Sequence, residues 1–98
     1  MANVLNHTNG IPNIFLPGSD LEDGRRILAI AKHNRDSRRF LVLCQWHGEF
    51  AVWQLVNNVG QKPYTVDGDY RYALSEAVDV FNYRATKYPD TYTIHVDA

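Results

Sequence analysis

Residues Arg38 to Val56, RRFLVLCQWHGEFAVWQLV, decide how this chain folds. The run is rich in β-branched, aromatic and other apolar residues. It is interrupted once, at His47-Gly48, and reads as a β-hairpin. Strand side chains alternate between faces, so a two-residue turn there fixes the register. One face then carries Trp46 opposite Glu49, Cys44 opposite Ala51, Val42 opposite Trp53 and Phe40 opposite Leu55. The other carries Leu41, Leu43, Gln45, Phe50, Val52, Gln54 and Val56, apolar apart from two glutamines. Gly48 supplies the positive φ of a tight hairpin turn, and histidine is among the non-glycine residues seen there.

Downstream, Asn57 to Pro63 is a loop by composition. Tyr64 to Tyr72, YTVDGDYRY, places an Asp67-Gly68 turn signal between two tyrosine-bearing arms, either a small ribbon or an extended lead into a helix. Leu74, Ala77, Val78, Phe81, Ala85 and Tyr88 then follow the i, i+3, i+4, i+7 spacing of one buried helical stripe. Glu76 and Asp79 lie early in it and Arg84 and Lys87 late, each sign complementing the helix dipole. Pro89 stops the helix. Thr91 to Val96 alternates Tyr92, Ile94 and Val96 against polar residues and predicts a last strand.

Upstream, residues 1–18 are read as a loose N-terminal arm and 19–98 as a single domain. Within the arm, Ile11 to Leu16 is apolar and flanked by prolines, which suits docking along a sheet edge. Residues 20–33 admit two readings. Ser19-Asp20-Leu21-Glu22 has capping-box form, and a helix from Asp20 to His33 would align Leu21, Ile27, Leu28 and Ala31. The alternative is a turn through Gly24 and a strand from Arg25 to Lys32, favoured because the apolar run is short and has a turn signal on each side.

The expected fold is therefore α+β: an antiparallel sheet of three to four strands with one long C-terminal helix on its Phe40/Val42/Trp53/Leu55 face. That leaves Leu41, Leu43, Phe50 and Val52 either to the Ile11–Leu16 segment or to another chain, so a homodimer is one expected partner. Ninety-eight residues suffice for one modest core. No stretch approaches the length needed to span a membrane. The single cysteine provides neither a disulfide framework nor a thiolate metal site and fits a reducing, cytoplasmic setting.

Motifs with chemical content are scarce. Cys44 and His47 have an odd strand offset, which puts them on opposite faces and prevents convergence on a metal or a nucleophile–base pair. Asp67-Gly68-Asp69 lacks the further ligands of a calcium loop. The expectation is a non-enzyme without metal or cofactor. Two surfaces stand out instead. Tyr64, Tyr70 and Tyr72 with Arg71 have the composition of an interface centre, which points to a protein partner. Arg25, Arg26, Arg35, Arg38 and Arg39, with Lys32, hold six of the ten basic residues and suggest contact with nucleic acid or an acidic protein surface. A formal net charge of −1 argues against a strong sequence-independent grip on nucleic acid.

Gly68-Asp69-Tyr70-Arg71-Tyr72, Leu74-Ser75-Glu76-Ala77 and Phe81-Asn82-Tyr83-Arg84 follow the apolar strands in a pattern that resembles small uncharacterised bacteriophage and mobile-element proteins. Those read as strands, a Gly-x-Tyr-aromatic step, then Leu-x-Glu-Ala-x-x-x-Phe-x-x-Arg on a helix. The likeness spans roughly Ile27 to Arg84, and Ala73 stands where a capping residue is expected. The resemblance implies a phage-type protein that binds and inhibits a host protein or defence system, in the manner of an anti-CRISPR, in the host cytoplasm. It brings no catalytic residues.

Overall fold

The computed structural model describes residues 10–96. They form strands β1 (Arg26–His33), β2 (Arg39–Trp46), β3 (Glu49–Val56), β4 (Tyr64–Arg71) and β5 (Tyr92–Ile94), and a helix α1 (Leu74–Thr86). The β2–β3 hairpin has the register read from its sequence, from Trp46↔Glu49 back to Phe40↔Leu55. His47 and Gly48 both take positive φ, 52° and 78°, as a type I′ turn requires. The strand reading of residues 25–32 holds, and β1 pairs with β2.

The sheet is antiparallel throughout and has five strands, in the order β4-β3-β2-β1-β5, where three to four were expected. The addition is β4, which continues through Asp67-Gly68 instead of turning there; the last strand read from the sequence is β5 (Tyr92–Ile94), on the far edge.

Two β-bulges interrupt the alternation, one in β1 and one in β4. In β1, Ile27 pairs with Cys44 and Ala29 with Leu43, so Leu28 is an extra residue. A bulge shifts the alternation by one. Ile27 and Ile30, three apart, therefore share a face, a spacing that imitates a helix in the sequence. In β4, Val52 pairs with Asp69 and Gln54 with Val66, leaving Asp67 and Gly68 together opposite Trp53. Asp67 has φ 56°, the left-handed region favoured at such positions.

The helix lies on the opposite face from the one expected. Ala77, Phe81 and Ala85 pack with Ala31, Leu41, Leu43 and Val52. The Phe40/Val42/Leu55 face is covered by Phe15, joined by Ile11 and Leu21 at its margin. Both hairpin faces are apolar, so alternation alone did not assign the helix to either. Contacts beyond the hairpin do: Arg84 Nη1 donates to the carbonyls of Asp67 at 2.7 Å and Val52 at 3.1 Å, and to Asp69 Oδ2 at 3.1 Å. These bonds hold the end of α1 over the β4 bulge. Trp53, on the face expected to lie beneath the helix, is therefore on the side opposite Phe81.

The N-terminal segment also differs from a loose arm where it is described. Asn13–Phe15 forms a 3-10 turn, and Phe15 is only 2% exposed, its ring 5.8 Å from that of Phe40. Gly18 N–H donates to Ile27 O and Ile27 N–H to Ser19 O, tying the segment to β1. Residues 1–9 lie outside the described residues. Leu74, at the start of α1, and Tyr88, beyond its end, were expected in the buried stripe and are exposed, whereas Ala77, Phe81 and Ala85 are buried.

Phe15→Ala and Phe81→Ala, emptying the two layers separately, should each cost about 3–5 kcal/mol. Val59→Ser, at a 98% exposed position, should change stability by no more than about 0.5 kcal/mol. Denaturant midpoints measure this, and a wild-type midpoint for Phe15→Ala would show that the N-terminal layer contributes nothing.

Candidate functional site

On the face away from α1, the register aligns small residues in mid-sheet. Cys44 pairs with Ala51, and Ala51 with Tyr70. Larger side chains surround this low floor: Trp46 further along β2, Trp53 and Glu49 on either side of Ala51 along β3, and Tyr70 on the edge strand. The N-terminal layer covers the β1–β2 side of the face. What remains is a cleft of about 340 Å³ lined by Trp46, Glu49, Trp53, Tyr70, Asp23 and Arg25, with Cys44 and Ala51 at its base. Arg25, Asp23 and Thr65 separate it from a second concavity between the N-terminal layer and Lys62-Pro63.

Trp53 organises the walls. Tyr70 meets it edge-on, with ring centroids 5.2 Å apart at 85°. The Arg25 guanidinium lies 5.1 Å from its ring centroid, within cation–π range. Arg25 Nε donates to Asp23 Oδ1 at 3.0 Å and Oδ2 at 2.8 Å, and Nη1 donates to Thr65 Oγ1 at 2.8 Å. Burial pushes the Asp23 carboxyl up, but the hydrogen bonds from Arg25 outweigh it and hold the carboxyl below its ordinary range. Gly68 makes room for the indole, since a Cβ there would stand 2.6 Å from Trp53 Cζ3. Trp53 Nε1 is buried without a hydrogen-bond partner among the described residues.

The other end of the cleft is open and acidic. Trp46 is 45% exposed, and its ring lies 4.4 Å from that of His47. The side chain of its cross-strand neighbour Glu49 makes no hydrogen bond or ion pair among the described residues. At the base, Cys44 is buried, and burial pushes its thiol up to about 12, so it carries no thiolate for chemistry near neutral pH. Among the described residues, no three His, Cys, Asp or Glu side chains gather as a metal site would require.

The register separates the tyrosine–arginine set read from the sequence. Tyr70 lies on the cleft face opposite Ala51, whereas Tyr64 opposite Val56 and Arg71 opposite Phe50 fall on the helix side. Tyr72 follows the end of β4 and is exposed, and Arg71 Nη1 donates to the Tyr70 carbonyl at 2.7 Å.

The basic cluster is likewise divided. Arg25 and Arg26 stand at one end of β1 and Arg35, Arg38 and Arg39 beyond the other, separated by roughly 23 Å of strand. Most of these charges are paired within the chain. Arg26 meets Asp20 at 3.0 Å, while Arg38 and Arg39 share Asp36 at 3.0 and 3.1 Å. The hydrogen bond from Arg38, with further bonds from its backbone and Arg39, holds the Asp36 carboxyl well below the carboxylate range. Only Arg35, of the five, makes no side-chain ion pair among the described residues.

Trp46, Glu49, Trp53 and Asp23 were not singled out from the sequence as site residues. The pairing of small Cys44 with small Ala51, flanked by two tryptophans, was the available sign of a hollow. Compared with known protein families, curated proteins and solved structures, the chain matches none.

The native Cys44 thiol should resist a thiol-exchange reagent at pH 8 and react fully on unfolding, as absorbance of the released chromophore would measure. The unfolded thiol ionises near 9.0 and the folded one near 12. Over that window the unfolded state loses its proton first, so stability falls with rising pH. A shallower fall in Cys44→Ala would confirm the source, and rapid native labelling would contradict the burial.

Gly68→Ala should displace the Trp53 ring and cost about 1–3 kcal/mol. Fluorescence emission and a thermal melt test it; a wild-type result in both would mean that the close approach of Gly68 and Trp53 is not structurally important.

Proposed function

We propose that the protein is a non-catalytic protein-binding module whose partner engages the Trp46–Trp53–Tyr70 cleft and the adjoining β4 edge. The observation that supports this most directly is an open hollow walled by two tryptophans and a tyrosine on a rigid sheet. Aromatic anchors in desolvated pockets dominate binding energy at protein interfaces. Beside the hollow, β4 is an edge strand, and an edge offers backbone donors and acceptors to an added strand. Tyr64 extends the surface on the helix side of that edge, and the exposed Tyr72 follows its end.

The phage-type resemblance extends the proposal to inhibition of a host protein, including one of a defence system, in the host cytoplasm. The alternative, a nucleic-acid accessory protein using Arg25 to Arg39, is weakened by the carboxylate pairing and by the separation of the cluster into two ends. No helix among the described residues is long and apolar enough to cross a membrane.

Capture from a bacterial host lysate, with and without nuclease, tests the reading. Binding should survive nuclease, and Tyr70→Ala should weaken it by about 1–2 kcal/mol at an unchanged melting temperature. Capture that is abolished by nuclease and by reversing the charges of Arg35, Arg38 and Arg39 would replace this reading with the nucleic-acid one. Capture indifferent to both Tyr70→Ala and Trp46→Ala would remove the cleft from it.

A further inference from the structure

We infer that the cleft selects a cationic group, an arginine or lysine side chain of the partner, seated between the Trp46 indole and the Glu49 carboxylate. This rests on the protein-binding reading above and specifies the chemistry of the partner.

Charge complementarity carries the inference. Three charged side chains line the cleft: Asp23, Arg25 and Glu49. Arg25 is committed to Asp23 through both carboxylate oxygens, and its side chain is only 15% exposed. The two charges offset each other and leave Glu49 as the uncompensated one. Glu49 points to the cleft face because it pairs with Trp46, the last residue before the turn. Directly opposed strand residues hold their Cβ atoms about 5 Å apart. An unpaired carboxylate thus stands beside an indole that is 45% exposed. A cation placed there would gain an ion pair and a ring face together.

The other wall shows the same chemistry already satisfied. The Arg25 guanidinium sits over Trp53 with Asp23 behind it, an internal arrangement of indole, cation and carboxylate. At Trp46 and Glu49 the indole and the carboxylate are present and the cation is not supplied by the described residues. Anionic groups are disfavoured at that end by Glu49 itself. A neutral aromatic group would fill the hollow but leave the carboxylate unpaired beside it. A volume of about 340 Å³ accepts one long side chain.

Both tryptophans of the chain line the cleft, so intrinsic fluorescence reports on this site. The probes are acetyl-arginine-amide and its neutral isostere acetyl-citrulline-amide, titrated at constant ionic strength. The arginine probe should give a saturable change that the citrulline probe does not. Glu49→Gln should weaken it about tenfold or abolish it, the scale on which interface anchors act. Trp46→Ala should do the same at an unchanged melting temperature, and Arg35→Gln, distant from the cleft, should leave it intact. No response to arginine, equal responses to the two probes, or a response that survives Glu49→Gln overturns the inference. The protein-binding reading is decided separately, by whether partner capture depends on Tyr70 and Trp46. A failed titration with capture that still depends on them leaves that reading standing and removes only the cation.

Discussion

A hairpin that is apolar on both faces must be covered twice, and this constraint allocates the rest of the chain. Strands β2 and β3 carry Leu41, Leu43 and Val52 on one side and Phe40, Val42 and Leu55 on the other, all buried. Helix α1 takes the first side through Ala77, Phe81 and Ala85. Among the described residues, the other segment that packs on a face is the N-terminal one, which takes the second through Phe15 with Ile11 and Leu21. It is short, and it covers the β1–β2 side more fully than the β3–β4 side. The cleft is the part of the second face that this cover does not fill.

The bulges convert that partial cover into a shaped surface. A bulge locally disrupts the ladder and frees backbone groups that then need partners. Near the β4 bulge, Arg84 donates to the Val52 and Asp67 carbonyls, so the helix-side layer supports backbone next to the cleft on the other face. On the cleft side, Gly68 lies against the Trp53 ring, and Tyr70 and Arg25 fix that ring from two further directions. One irregularity in an edge strand thereby holds the helix end on one face and positions an indole on the other. The motif Leu74-x-Glu76-Ala77-x-x-x-Phe81-x-x-Arg84 has a plain physical content here: Ala77 and Phe81 touch the sheet and Arg84 reaches the bulge.

Electrostatics sort the two surfaces that composition suggested. Arginines held by Asp20, Asp23 and Asp36 direct much of their charge inside the chain, and the exposed Arg26–Asp20 and Arg38–Asp36 pairs add little stability of their own. Their effect is to reduce what remains for phosphate. The aromatic surface is different, because the exposed faces of Trp46 and Tyr70 and the carboxylate of Glu49 are not engaged by such pairs. That contrast favours the aromatic cleft over the cationic rim as the binding surface proposed above.

Residue spacing alone determined the hairpin, its register, the helix and the α+β class, because each rests on short-range geometry: alternation in strands, the 3.6-residue helical period, a Gly at the turn. The Trp46–Glu49 and Cys44–Ala51 pairs were legible from the turn position. Spacing did not reveal the bulges at Leu28 and Asp67-Gly68, because one inserted residue breaks alternation and makes Ile27 and Ile30 look helical. It also put the helix on the wrong face, since Leu41/Leu43/Val52 and Phe40/Val42/Leu55 are equally apolar and spacing does not distinguish them. That choice depended on Arg84 reaching the bulge and Phe15 reaching Phe40, contacts between residues far apart in the chain. The same unseen bulge put Tyr64 and Tyr70 on opposite faces, whereas adjacent Tyr70 and Arg71 are divided by plain alternation. The site was therefore decided by tertiary structure: Asp23 and Arg25 arrive from before β1, Tyr70 from the edge strand, and only folding brings them to the two tryptophans.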